Sequence, residues 1–218
     1  TLARSSAASD VYKRQTQADN MIRLGQVKTA LVIGAESLSK IVDWTDRNTC
    51  VLFGDGAGAV VLRAKECEGA KTDTGILATK IYADGSHYDH LKTNGGVSST
   101  QNAGVVSMDG KEVFKYAIGS LSQAAETVTA MAGYTNADID WLIPHQANIR
   151  IISNVGEKLE LPEEKVIVAV DHHGNTSAAS IPLAFSENME SGKIKKGDLV
   201  VFTAMGAGFT WGGAAIRL

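Results

Sequence analysis

The chain has 218 residues, 44% apolar and 21% charged, enough for one large domain or two small ones around a real core. Its net charge of -3, without any block of Lys or Arg, argues against a general nucleic-acid surface, and its apolar runs are too short to cross a membrane. Two cysteines, Cys50 and Cys67, form neither a disulfide framework nor a zinc pattern, which points to a reducing cytoplasm.

In chain order, residues 1–15 show little periodicity and no signal-peptide layout. They read as a non-native or mis-assembled tail joined to a truncated fragment, with a flexible native tail as the alternative. Gln17 to Leu24 is predicted helical, with Met21, Ile22 and Leu24 inward and Gly25 as its stop. The apolar run from Thr29 to Gly34 suggests a strand buried on both faces. Residues 36–48 read as a polar loop, and Cys50 to Leu62 as a glycine turn entering a strand. Gly75 to Asp84 is a further strand, and His87 to Val106 a long polar loop.

The clearest helix opens at Asp109 or Gly110, where Phe114, Ile118, Leu121, Ala125, Val128 and Met131 recur at helical spacing before Gly133. A turn at 136–138, a strand at Trp141–Pro144 and a helix from Asn148 to Leu159 follow. Val166 to Val170 reads as a strand, and Ser177 to Glu190 as a helix with Pro182 in or near its first turn. Strands from Leu199 to Ala204 and from Thr210 to Leu218 flank a turn at 205–208. Alternating strands and helices imply an α/β layered domain. The segment 31–62 also resembles 200–216, as a duplicated α/β unit would.

Two stretches carry chemistry. His145, Gln146 and Asn148 follow one predicted strand, and His173 and Asn175 follow another. Buried polar groups cost free energy unless each finds a partner, so this clustering argues for a site. The bland readings are a satisfied core histidine at His145 and a helix N-cap at Asn175, shared with Thr176 or Ser177. A neutral imidazole and a carboxamide donating to one oxygen would form an oxyanion or enolate hole, suited to a thioester carbonyl.

Asp171-His172-His173 has no acidic or cysteine partner at metal-ligand spacing, so no metal is expected there. Gly54-Asp55-Gly56-Ala57-Gly58 lacks the Lys-Ser/Thr of a phosphate loop and reads as a tight turn. Gly206 and Gly208 lie in a similar turn that could bring backbone N–H groups to a reacting carbonyl. Cys50 reads as an inert core residue, and Cys67 shows no sign of activation.

Together, Pro144-His-Gln-Ala-Asn-Ile-Arg150, His173-Gly-Asn-Thr-Ser-Ala-Ala179, Phe53-Gly-Asp-Gly-Ala-Gly-Ala59 and Gly208-Phe-Thr-Trp-Gly212 resemble the β-ketoacyl-acyl-carrier-protein synthase III family. The resemblance runs from about residue 16 to the C-terminus. It implies a thiolase-like, layered αβαβα fold, with residues 16–65 ending a partial N-terminal half and 66–218 forming a complete C-terminal half. It implies an acyltransferase that joins a short acyl-CoA to malonyl-acyl carrier protein by decarboxylative Claisen condensation, initiating fatty acid synthesis.

On that resemblance His145 and Asn175 are catalytic. Gln146, Ala147, Asn148, Ile149 and Arg150 match the carrier-protein docking segment, which Lys115 and Lys158 would extend as a basic patch. Arg47 and Asn148 would contact CoA, and Phe53 would line the acyl pocket. The expected partners are acyl carrier protein, acyl-CoA and malonyl thioesters in a cytoplasmic homodimer. CoA thioesters enter as substrate, with no cofactor, metal, nucleic acid or membrane. The family's nucleophilic cysteine should fall near Ala8, where this chain has none. Without that thiol, condensation is not expected of this chain. The competing readings are a carrier- or CoA-binding module, a malonyl decarboxylase remnant, and another thiolase-fold synthase of the hydroxymethylglutaryl-CoA or polyketide type.

Overall fold

A computed structural model describes residues 11–96 and 98–218. Its principal sheet has four strands in the order β3 (Gly75–Ala83), β8 (Thr210–Arg217), β7 (Leu199–Gly206) and β6 (Trp141–Pro144). The β3–β8 and β7–β8 pairs are antiparallel, and β6–β7 is parallel.

Strand side chains alternate between faces, and both faces of this sheet are covered. Val201 and Met205 of β7, with Leu142 of β6, meet the cluster built by α2 (Gly110–Met131) and α3 (Ile149–Lys158). Val200, Phe202 and Ala204, with Ile143, meet Ile181 and Ala184 of α5 (Ser180–Glu190) on the other face. Fully burying such side chains stabilises by about 2 kcal/mol each. That outweighs an exposed ion pair such as Lys115–Glu112 at 3.6 Å, worth under about 1 kcal/mol.

A second sheet pairs β1 (Thr29–Ser37) with β2 (Asp55–Arg63) in antiparallel register. Helix α1 (Val11–Arg23) and the segment before α5 pack against it, with Ala18, Val32 and Ala178 buried between them. The layers therefore run helix, sheet, helix, sheet, which is the α/β layering expected. The internal echo also has a structural form: α1, β1 and β2 repeat the order of α5, β7 and β8.

Several sequence expectations are corrected. Helix α1 starts at Val11 rather than Gln17, with Gln15 and Ala18 inward, while Met21 and Leu24 are exposed. Strand β1 is covered on one face only. Leu31 is 62% and Ile33 47% exposed, because a two-stranded sheet with helices on one side leaves the alternate residues open. The expected loop at 87–106 contains a hairpin of β4 (Leu91–Thr93) with β5 (Val106–Met108). Val166 to Val170 makes a single bridge, Leu142 with Val166, and then turns into the short helix α4 (Val170–His173).

The glycines at 54–58 do not make a turn; most lie in β2, where a close approach uses them. A Cβ on Gly58 would lie 2.8 Å from Pro182 Cβ, and one on Gly54 2.7 Å from the His173 carbonyl oxygen. This spacing lets β2 approach α5 and the Asn175 segment closely. Among the described residues, no helix is long and apolar enough to cross a membrane.

Candidate active site

His145 follows the last residue of β6, at the carboxyl end of a parallel strand pair, where open α/β sheets place working groups. Its backbone N–H donates to Thr203 O at 2.8 Å, continuing the ladder to β7. His145 is only 9% exposed, and its Nδ1 lies 2.8 Å from Ser180 Oγ in the first turn of α5. Burial disfavours the imidazolium and lowers the His145 pKa to about 4, so the ring is neutral at pH 7.

Asn175 arrives from the other half of the chain. Its backbone forms a parallel bridge with Phe53: Asn175 N donates to Leu52 O at 2.8 Å, and Gly54 N donates to Asn175 O at 2.9 Å. The side-chain Oδ1 accepts from Ser177 N at 3.0 Å, which leaves the Nδ2 amide as the group able to donate elsewhere. The bland N-cap reading thus accounts for one end of this carboxamide and not the other.

Both residues line one cavity of about 590 Å³. Phe53, Phe114, Met108 and Met205 give it an apolar wall, while Asn48, Lys111 and Asp109 add polarity. Phe53, expected at an acyl pocket, is one of the residues lining this cavity. Of the segment around Gly206 and Gly208, the residue lining the cavity is Met205 rather than either glycine. Gly208 has φ +132, a conformation that favours glycine, and serves the turn into β8. Cys50 is half-buried and not a core residue, Cys67 is exposed, and neither lines the cavity. The position near Ala8 lies outside the described residues.

The docking segment divides in two. Gln146 is 1% exposed and braces the backbone: Nε2 donates to Pro144 O at 2.7 Å, and Oε1 accepts from Ala169 N at 2.7 Å. A side chain so enclosed cannot meet a partner protein, so its expected surface role is corrected to bracing. Ala147 and Asn148 line the cavity, and Asn148 also caps α3 by accepting from Arg150 N at 2.8 Å. Ile149 and Arg150 are exposed, and the Arg150 guanidinium lies 4.9 Å from the Phe114 ring centroid. Lys115 is exposed beside Glu112. Lys158 sits at the opposite end of α3 from Arg150, roughly 12 Å along the axis. Arg47 is exposed in the loop before β2, and its neighbour Asn48 is the one that lines the cavity.

Sequence reasoning missed Ser180 and Lys111. Lys111 carried a usable signal, being one helical turn before Lys115. Ser180 carried none, since the fold brings it to His145 across 35 residues. Sequence spacing also hid Glu187, which the fold brings to both His172 and His173.

The family model for 3-oxoacyl-[acyl-carrier-protein (ACP)] synthase III matches residues 8–85, and that for the family's C-terminal region matches residues 129–218. The chain belongs to the 3-oxoacyl-[acyl-carrier-protein] synthase III family. It is 57% identical over 200 residues to the beta-ketoacyl-[acyl-carrier-protein] synthase III of Rhodospirillum centenum, covering 92% of this chain and 62% of that protein. The corresponding protein of Rhizobium meliloti is 56% identical over 200 residues, again with 92% and 62% covered. The chain thus spans 62% of the length of these curated relatives.

Among solved structures, the synthase III of Aquifex aeolicus superposes with a TM-score of 0.90 at 46% identity, covering 99% of this chain and 66% of that one. The Pseudomonas aeruginosa synthase III gives a TM-score of 0.90 at 39% identity, covering 98% and 65%. The fold is therefore that of the synthase III, thiolase-like class, as the sequence motifs imply. Family membership, unlike the roles of individual residues, rests on nearly the whole length of this chain.

Proposed function

We propose that this chain carries the malonyl-activating part of a 3-oxoacyl synthase III site, the part that generates the carbanion for the first condensation of fatty acid synthesis. One observation carries this reading: a neutral His145 and an Asn175 amide with its Nδ2 available line the same cavity. In decarboxylation, the bond from the malonyl carbon to its carboxylate breaks and CO₂ leaves. The electron pair passes to the carbon and onto the thioester oxygen. Two N–H donors aimed at that oxygen stabilise the enolate more than the starting thioester, which is the condition for acceleration.

Ser180 supports the required tautomer. Its Oγ lies 3.4 Å from Gln146 N, which donates to it. A Ser180 hydroxyl hydrogen donated to His145 Nδ1 would place the ring proton on Nε2. Condensation proper needs an acyl group on a thiol, so that the carbanion attacks the thioester carbon and the thiolate departs with the C–S electron pair. Among the described residues no thiol lines the cavity, and this favours a second reading, a carrier- or CoA-binding module that decarboxylates without condensing.

As partner we propose acyl carrier protein, an acidic surface guided by Arg150, Lys111 and Lys115, with Lys158 outside this patch. CoA would lie along Arg47, Asn48 and Asn148. Gly206 and Gly208 would act by shaping the backbone behind Met205. The proposed setting is a cytoplasmic homodimer without cofactor. Light scattering would test the homodimer.

The decisive assay incubates the chain with malonyl-acyl carrier protein, with and without acetyl-CoA, and reads both thioester products by mass spectrometry. Acetyl-acyl carrier protein from decarboxylation, lowered about 10²–10³-fold in Asn175→Ala, is the expected result. A 3-oxobutanoyl product would extend the assignment to condensation, and its absence beside CO₂ release would favour the second reading. No decarboxylation above the uncatalysed rate, or a rate indifferent to Asn175→Ala, would reject the proposal.

A further inference from the structure

Away from the cavity, α4 and α5 bring together three ligand-type side chains. Consecutive residues of a helix point about 100° apart, so adjacent histidines ordinarily diverge. In α4, however, both imidazoles close on one carboxylate. His172 Nε2 is 3.1 Å from Glu187 Oε2, and His173 Nε2 is 2.5 Å from Glu187 Oε1. The three ligand atoms all lie within 4.8 Å of one another. The remaining nitrogen of His172, Nδ1, lies 2.8 Å from Asp171 Oδ1. A carboxylate on the far nitrogen of a ligating imidazole fixes the ring and raises the basicity of the near nitrogen, an arrangement common around bound zinc.

We propose that His172, His173 and Glu187 bind a divalent first-row transition metal ion, with Zn²⁺ as the ion whose preferences match two imidazoles and one carboxylate. Tetrahedral zinc holds its donors roughly 3.3 Å apart. The His172–Glu187 separation of 3.1 Å is close to that, and the His173–Glu187 pair, at 2.5 Å to the other carboxylate oxygen, has to open by about 0.8 Å. The side chains of His172 and Glu187 are 49% and 41% exposed, which gives the ion an entry path and leaves room for water at its open position. None of the three lines the cavity. The site is distinct from that of His145 and Asn175 and does not depend on the function proposed for them.

The position of the site gives the ion a structural consequence. His173 is followed by Gly174, at φ +66, and then by Asn175. Glu187 belongs to the middle of α5. A bound ion therefore clamps the end of α4 to α5, immediately before the segment that presents Asn175.

The test uses the chain dialysed against chelator, titrated with ZnCl₂ by calorimetry and with CoCl₂ by visible absorption. One Zn²⁺ per chain is expected, with a dissociation constant on the order of micromolar and a rise in Tm that EDTA reverses. His172→Gln and Glu187→Gln should each weaken Zn²⁺ binding at least about ten-fold, and Asp171→Asn by a smaller factor. His145→Gln should leave Zn²⁺ affinity unchanged. His172 is half-exposed, so His172→Gln should fold and melt like the parent in EDTA, and it decides the question even if Glu187→Gln does not fold. The proposal is overturned if no saturable binding appears below about 100 µM, or if His172→Gln binds Zn²⁺ as tightly as the parent.

Discussion

Ser180 Oγ lies 2.8 Å from His145 Nδ1, tying the first turn of helix α5 to the end of strand β6. Both groups are buried, so this contact fixes the imidazole with little competition from water.

Ser180→Ala removes the hydroxyl beside His145 Nδ1 and the acceptor of the buried Gln146 N–H. The expected cost is about 1–3 kcal/mol in stability. Decarboxylation should fall about 10–100-fold because the ring loses its orientation. Urea denaturation and the malonyl assay check the two effects separately. An unchanged rate in a folded variant would remove Ser180 from the positioning role.

Acid should weaken the fold through His145. Its native pKa is lowered by burial from 6.5 to about 4. Between these values the unfolded state binds the proton and the native state does not, so stability rises with pH across this window. The contribution is fully present above pH 6.5 and is lost as pH falls towards 4. A shift of this size corresponds to about 3 kcal/mol. Unfolding free energies of the parent and of His145→Gln, compared at pH 7.5 and pH 4.5, should show the parent losing more. Parallel losses would mean that His145 titrates normally.

Glycine substitutions should separate close approach from open space. Gly58→Ala drives a methyl into Pro182, 2.8 Å away, and should destabilise by about 1–3 kcal/mol. Gly119, in α2, has no neighbour within 4 Å of an added Cβ. Gly119→Ala should therefore stabilise by about 0.5–1 kcal/mol through helix propensity alone. Denaturation midpoints of the two variants should move in opposite directions.

Carrier-protein recognition should depend on position and not merely on charge. Arg150→Glu and Lys111→Glu should each raise KM for malonyl-acyl carrier protein about ten-fold, an effect that weakens in high salt. Lys158→Glu, at the far end of α3, should change KM less than about two-fold. Equal effects at all three positions would indicate a diffuse attraction rather than a docking patch.

The site was partly legible in the chain because its two halves are each local. Pro144-His145-Gln146 and Gly174-Asn175-Thr176 each place polar residues shortly after an apolar run, and His145, Gln146, Asn175 and Thr176 are all buried. The role of Gln146 was not legible, because an amide that braces Ala169 and one that meets a partner protein look alike in sequence. The long polar stretch after His87 hid the β4–β5 hairpin for a related reason. Short strands leave little periodicity, and cross-strand pairing decides them.

The sequence by itself determined the α/β class, the family and the helix from Gly110 to Met131, and it singled out His145 and Asn175 as candidates. Those features follow from local spacing and residue chemistry. Only the tertiary structure decided that Ser180 orients His145, that Met205 rather than Gly206 or Gly208 faces the cavity, and that Glu187 meets both His172 and His173. Each depends on side chains far apart in the chain being carried together by the packing of helices on strands, and no local pattern encodes such a meeting.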